Sequence, residues 1–206
     1  MNLQDNGLWA GLAIGYHVAS RLAYVFGIGL ALTKQERHQV FTRRDGVEAG
    51  FRRFRRFSAI LMSNDALSFV LLCAATQETI GPVVPTLALM TAGLLLIAVG
   101  LWIRLWAAKQ LGDAAYYWYN FFTPVKHVER ERLGPYRFLN DPMYTVGYFH
   151  TYGIALLCAS WPGLIAGVFD QAAILAFHRF VEKPHFERLS TAPLAVVGAV
   201  RQDQPK

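Results

Sequence analysis

Val83-Val84-Pro85-Thr86-Leu87-Ala88-Leu89-Met90-Thr91-Ala92-Gly93-Leu94-Leu95-Leu96-Ile97-Ala98-Val99-Gly100-Leu101-Trp102-Ile103 runs 21 residues without a charged side chain. A helix needs about 20 predominantly apolar residues to cross the hydrocarbon of a bilayer. Backbone groups in lipid must find partners within their own segment, which makes this stretch a helix rather than an open strand. Outward from it lie four more apolar segments, near 7–32, 58–76, 144–160 and 162–180. The last two meet at Trp161-Pro162-Gly163, a tight-turn signal that predicts a helical hairpin whose first arm only just spans. The whole chain carries 17% charged residues against roughly 25% in soluble domains. The expected fold is all-α: a single membrane domain over 1–206, a polytopic transmembrane bundle of about five helices.

The charges set an orientation. Eight Lys or Arg lie from Lys34 to Arg56, six from Arg104 to Arg137 and five from Arg179 to Lys206, which is 19 of the 20. Five crossings place all three stretches on one face, and the excess of basic residues on the cytoplasmic side identifies that face. The N-terminus is then expected outside and the C-terminus in the cytoplasm, in a bacterial inner membrane or the endoplasmic reticulum. Met1 to Asn6 lacks a basic signal-peptide head, so the first segment is expected to be retained. The net charge of +6 is read as attraction to an anionic leaflet through the basic loop 34–57, not as nucleic-acid binding. Within that loop Phe51, Phe54 and Phe57 alternate with the pairs Arg52-Arg53 and Arg55-Arg56. On a helix they form an apolar stripe flanked by cations, suited to anchoring in the interface or to recruiting a lipid.

Arg21 is the twentieth basic residue, mid-segment, with His17 one turn earlier. Either it has an intramembrane role, or the helix begins near Val18 and the side chain reaches back to the headgroups. Asp65, beside Ser63 and Asn64, predicts an inward polar cluster bonding a neighbouring helix. Cys73 and Cys158 read as small buried hydrophobes without metal-ligand spacing, and no metal site is expected.

Two segments concentrate polar and aromatic residues at the cytoplasmic face: 104–143 and 181–190. The first holds Leu111-Gly112-Asp113, an aromatic block from Tyr116 to Phe122, and Leu133-Gly134-Pro135-Tyr136-Arg137-Phe138-Leu139-Asn140-Asp141-Pro142-Met143-Tyr144. Pro142 suits the first position of a helix, with Asn140 or Asp141 either capping it or doing chemistry. The second holds Glu182-Lys183-Pro184-His185-Phe186-Glu187-Arg188, where Pro184 ends or kinks the apolar run.

Gly-Pro-Tyr-Arg, a short spacer, Asp-Pro-Met-Tyr entering a helix and a Glu-x-Pro element after the last helix together resemble the membrane-embedded methyltransferases. Among these are the isoprenylcysteine carboxyl methyltransferases and phospholipid N-methyltransferases. Asn140-Asp141 stands where the former carry Arg-His, whereas Asp or Asn before Pro-Met-Tyr and an upstream Leu-Gly-Asp are similar to phosphatidylethanolamine N-methyltransferases. Lys183 replaces one glutamate of that family's Glu-Glu-Pro. The resemblance covers roughly Arg104 to Arg188. It implies S-adenosylmethionine as cofactor, a membrane lipid as substrate, and Tyr136, Arg137, Pro142, Tyr144, Gly147, Glu182, Lys183, Trp106 and Ala107 as cofactor-site candidates. Gly147 falls one residue later than the family glycine, and Trp106-Ala107 lacks a glycine the family has there.

The residue types suit methyl transfer, in which positioning donor and acceptor supplies most of the help, about 7–11 kcal/mol. A carboxylate holds an amino group, an arginine a carboxylate, and aromatic faces a sulfonium. An ethanolamine headgroup must lose a proton before it attacks, which gives a base to find: Asp141, with His150 and Glu187 behind it. A carboxyl acceptor needs no such base. Carboxyl methylation of an isoprenylated cysteine is the near alternative. A small transporter lined by Arg21, Asp65 and Asp170, or a non-catalytic protein keeping the fold, are readings of other classes.

Overall fold

The structure, a computed structural model, describes residues 3–82, 84–123 and 134–191. Val83, with which the third apolar segment begins, lies outside them. So do Leu133 and the basic residues Lys126, Arg130, Arg132, Arg201 and Lys206. The described chain is helical: α1 (Leu3–His38), α2 (Gly46–Ala75), α3 (Thr86–Tyr116), α4 (Phe149–Leu157), α5 (Trp161–Phe177) and α6 (Lys183–Thr191). A π-helical turn, His178–Glu182, joins α5 to α6, and short 3₁₀ turns occupy Tyr119–Phe121, Gly134–Arg137 and Val146–Tyr148. Among the described residues, three stretches are long and apolar enough to cross a membrane: Gly46–Ala75, Thr86–Gly112 and Trp161–Leu189. α1 is longer still, at 36 residues, but it carries a seam of buried polar groups, His17, Ser20 and Arg21.

The element expected over 144–160 is built differently. Asp141 and Pro142 open a run of turns, in which the Gly147 N–H donates to the Pro142 carbonyl at 2.8 Å. The helix itself begins only at Phe149, with no side-chain cap. Pro142 is therefore not a first-turn proline, and neither Asn140 nor Asp141 is a cap. At nine residues, α4 is about 14 Å long, short of the hydrocarbon thickness. The hairpin with α5 is present: Ser160 caps α5 by accepting from the Gly163 N–H at 2.9 Å.

α4 is held against α3 by glycines. A Cβ at Gly153 would lie 2.5 Å from the Gly93 carbonyl oxygen and 2.8 Å from the Ile97 nitrogen, and one at Gly100 would collide with the His150 backbone. Lipid offers no hydrophobic drive for helices to associate, so such backbone-to-backbone contact supplies the packing.

The middle of the bundle is tied by charge. Arg21, 4% exposed, donates from Nε to Asp170 at 2.7 Å and pairs through Nη2 with Asp65 at 2.7 Å. Its Nη1 donates to the Tyr148 hydroxyl at 3.2 Å. His17 bridges Ser68 (2.9 Å) and Asp170 (3.2 Å). Arg21 thus does not reach back to headgroups. It joins α1, α2 and α5, with Asp65 in the interhelical role expected of it. Cys73 is buried and Cys158 half-buried, both free thiols.

One end of the bundle gathers the segments bearing motifs. The loop expected over 34–57 is mostly helix, α1 running to His38 and α2 starting at Gly46. Phe51 and Phe54 turn into the protein, packing on Phe122 at ring distances of 5.5 and 5.2 Å, while Phe57 is 39% exposed. A spacing of three leaves each ring about 60° behind the last on an α-helix, so the three do not share a face. The four arginines between them are exposed. The Tyr119 hydroxyl donates to Glu48 at 2.7 Å, fixing the aromatic block to α2. Glu36 takes His185 (2.8 Å) and Arg188 (2.7 Å), fixing α6 to α1.

Candidate functional site

Three local features open a cleft at that end. Gly112, at φ 73° and ψ 158°, breaks α3 where a residue with a side chain would be strained. Trp118 takes the left-handed conformation, φ 57°, and its buried indole packs on Phe54 and Phe177. The π turn at 178–182 follows. Single π turns occur often at functional sites, and this one places His178 and Glu182 side by side at i and i+4.

The cleft is bounded by the end of α3, the turns over 134–144 and the π turn. Tyr116, Trp118, Tyr136, Tyr144 and Phe186 supply aromatic walls, and Asp141, His178 and Glu182 the ionisable ones. Glu182 is buried, 5% exposed, and accepts from the Trp118 indole N–H and from the Tyr144 hydroxyl at 2.7 Å. Its other oxygen meets His178 Nδ1 at 2.6 Å, and His178 Nε2 faces Asp141 at 3.3 Å. A buried carboxylate, an imidazole and a half-exposed carboxylate therefore stand in a row. Both imidazole contacts are hydrogen bonds when both ring nitrogens carry protons. Burial and the Glu182 carboxylate push the Tyr144 phenol well above its usual range, so it stays a neutral donor.

Of the residues expected from sequence, Tyr136, Asp141, Pro142, Tyr144 and Glu182 line this cleft. The others do not. Arg137 is exposed, with its guanidinium 6.0 Å from the Phe138 ring. Lys183 and Glu187, both largely exposed, meet each other at 3.9 Å. Gly147 packs the turn on α3, where its Cβ would lie 3.5 Å from that of Arg104. Trp106 stacks on Trp102 and lies under Gly134, and Ala107 is fully buried. His150 borders a second cavity deeper in the bundle and contacts the Gly147 carbonyl at 2.5 Å.

Sequence reading missed His178, Trp118 and Tyr116. The i,i+4 spacing of His178 and Glu182 was a signal for the first. Nothing local singled out Trp118 and Tyr116 within a block of seven residues that has six aromatics.

An all-helical membrane bundle with an aromatic, acidic cleft at one end is the architecture these contacts define. The family described as phospholipid methyltransferase matches residues 88–190, which include every wall of the cleft, and the chain belongs to that family. Its relatives include the phosphatidylethanolamine N-methyltransferase of Aspergillus clavatus, 35% identical over 145 residues, 68% of this chain and 14% of the relative. That of Talaromyces marneffei is 33% identical over 153 residues, 73% of this chain and 15% of the relative. The chain thus spans about 14% of the length of such relatives. No solved structure matches it.

Proposed function

We propose that this chain methylates the amine of a membrane phospholipid, phosphatidylethanolamine by the names of its relatives, using S-adenosylmethionine held in the cleft. The donor set fits such a group. Glu182 accepts three protein hydrogen bonds, and a carboxylate has about four acceptor positions, so one remains for an amino group. The aromatic walls suit a purine ring and a sulfonium. When bound, the cofactor supplies an electrophilic methyl group on that sulfonium.

The observation that carries an amine acceptor is the row Glu182–His178–Asp141. A protonated amine must lose a proton before its nitrogen can attack, and Asp141, a third exposed at the open end of the row, is placed to take it. His178 orients that carboxylate and spreads the charge towards Glu182. Tyr136, Pro142 and Tyr144 shape the wall. Carboxyl methylation requires no proton acceptor, so this row counts for the amine.

Five crossings with the cleft in the cytoplasm complete the proposal, the fourth made by the turns over 141–148 together with α4, and 1–206 acts as one membrane domain. The exposed arginines of α2 beside the cleft end support it, as does the excess of basic residues that marks cytoplasmic faces. These arginines, rather than the phenylalanines between them, would meet an anionic leaflet. Incubating purified protein with native lipid extract and methyl-labelled cofactor tests the reading. Label is expected in an amine headgroup. Label in a base-labile methyl ester overturns the amine acceptor, and absence of saturable cofactor binding by calorimetry overturns the enzyme.

A further inference from the structure

The second cavity lies between α1, α2, α4 and α5 and shares Met143 and Tyr144 with the cleft. On α2 it reaches Val70, which is 47% exposed on the lipid-facing surface. Its two carboxylates, Asp65 and Asp170, are bound to Arg21. Its other guanidinium, Arg104, has no carboxylate partner among the described residues. Arg104 lines this cavity together with the phenols of Tyr24 and Tyr148, and it interacts electrostatically with Tyr116. Tyr116 is itself a wall of the cleft, so Arg104 stands where the two spaces meet.

A guanidinium beside phenols, in a cavity whose two carboxylates are taken by another arginine, is a site for a single negative charge with several oxygens. We propose that Arg104, with the hydroxyls of Tyr116 and Tyr148, binds the phosphodiester of the acceptor lipid. This rests on the methyltransferase reading and names how it selects its substrate. A phosphate fixed at Arg104 leaves the headgroup amine, two carbons further on, to extend past Tyr144 towards Asp141. The acyl chains follow Met62, Ala66 and Phe69 of α2 into the bilayer.

The test compares dioleoyl phosphatidylethanolamine with oleylamine, a long-chain amine without phosphate, in mixed micelles with the full chain. Two readouts are taken: methyl transfer, and binding through quenching of tryptophan fluorescence by a brominated form of each amphiphile. Wild-type protein is expected to favour the phospholipid by about tenfold or more in both, the scale of hydrogen bonds to a charged group. Arg104→Gln is expected to raise the phospholipid KM by a similar factor, leave oleylamine unchanged and keep cofactor affinity, with Arg104→Lys restoring part of the preference. Equal use of both amphiphiles by the wild type overturns the phosphate site while the enzyme stands, and needs no variant to fold. An Arg104→Gln protein with unchanged lipid KM and weakened cofactor binding also overturns it. Phospholipid binding that depends on Arg104 without any methyl transfer upholds the site and removes the enzyme reading.

Discussion

Two buried ionic clusters lie on adjoining cavities, and they are wired differently. In the membrane interior Arg21 sits between Asp65 and Asp170, with His17 behind, and each member bonds another helix. At the cleft Glu182, His178 and Asp141 form a line with one end buried and the other half-exposed. The first pairs one cation with two carboxylates inside the bundle, where a lone charge is expensive, and Asp65 Oδ1 and Asp170 Oδ2 meet no protein donor among the described residues. The second keeps an open end, with Asp141 a third exposed on the wall of the cleft. The first cluster holds helices together, and the second is equipped for proton exchange.

The contrast breaks most visibly if Arg21 is removed. Arg21→Met leaves two buried carboxylates without their cation and is expected to cost about 3–5 kcal/mol of stability, read as a lower unfolding midpoint in detergent. Replacing Arg21, Asp65 and Asp170 together by apolar residues should recover most of the loss. A single variant that melts like the wild type would mean the cluster is not structural.

Next in size is Asp141→Asn, at the open end of the other cluster. Turnover is expected to fall about 10²-fold or more at every pH, with the melting temperature and cofactor affinity retained. Full activity across the pH range removes Asp141 as proton acceptor. Glu182→Gln keeps the shape but not the charge, and cofactor affinity by calorimetry is expected to drop by about 1.5–3 kcal/mol. Unchanged affinity would place the cofactor elsewhere. The smallest effect belongs to Arg53→Ala, which breaks an exposed pair with Asp45. Stability should move by less than about 0.5 kcal/mol, while binding to anionic vesicles weakens measurably.

Both clusters drew on residues the sequence displays, but to different degrees. Arg21, Asp65 and Asp170 are each conspicuous as charges inside apolar runs. Their meeting is not, since Arg21 and Asp170 are 149 positions apart. Asp141 and Glu182 came from motif order, and His178, the residue that joins them, went unread until the π turn set it beside Glu182. The phenylalanine stripe shows the same limit. Its spacing is compatible with facing lipid, yet Phe51 and Phe54 close the floor beneath the cleft.

By itself the sequence determined a helical membrane bundle, the concentration of basic charge in three stretches and the two segments that build the cleft. Segment length, charge and local motif are properties of short stretches, and the bilayer admits few ways to satisfy them. Only the tertiary structure decided which way each helix faces, where α4 begins, and that Arg21 meets two carboxylates while Arg104, on the same cavity, meets none among the described residues. Those outcomes depend on partners from distant segments, because a polar group in a membrane must bond whatever neighbouring helix the packing brings to it.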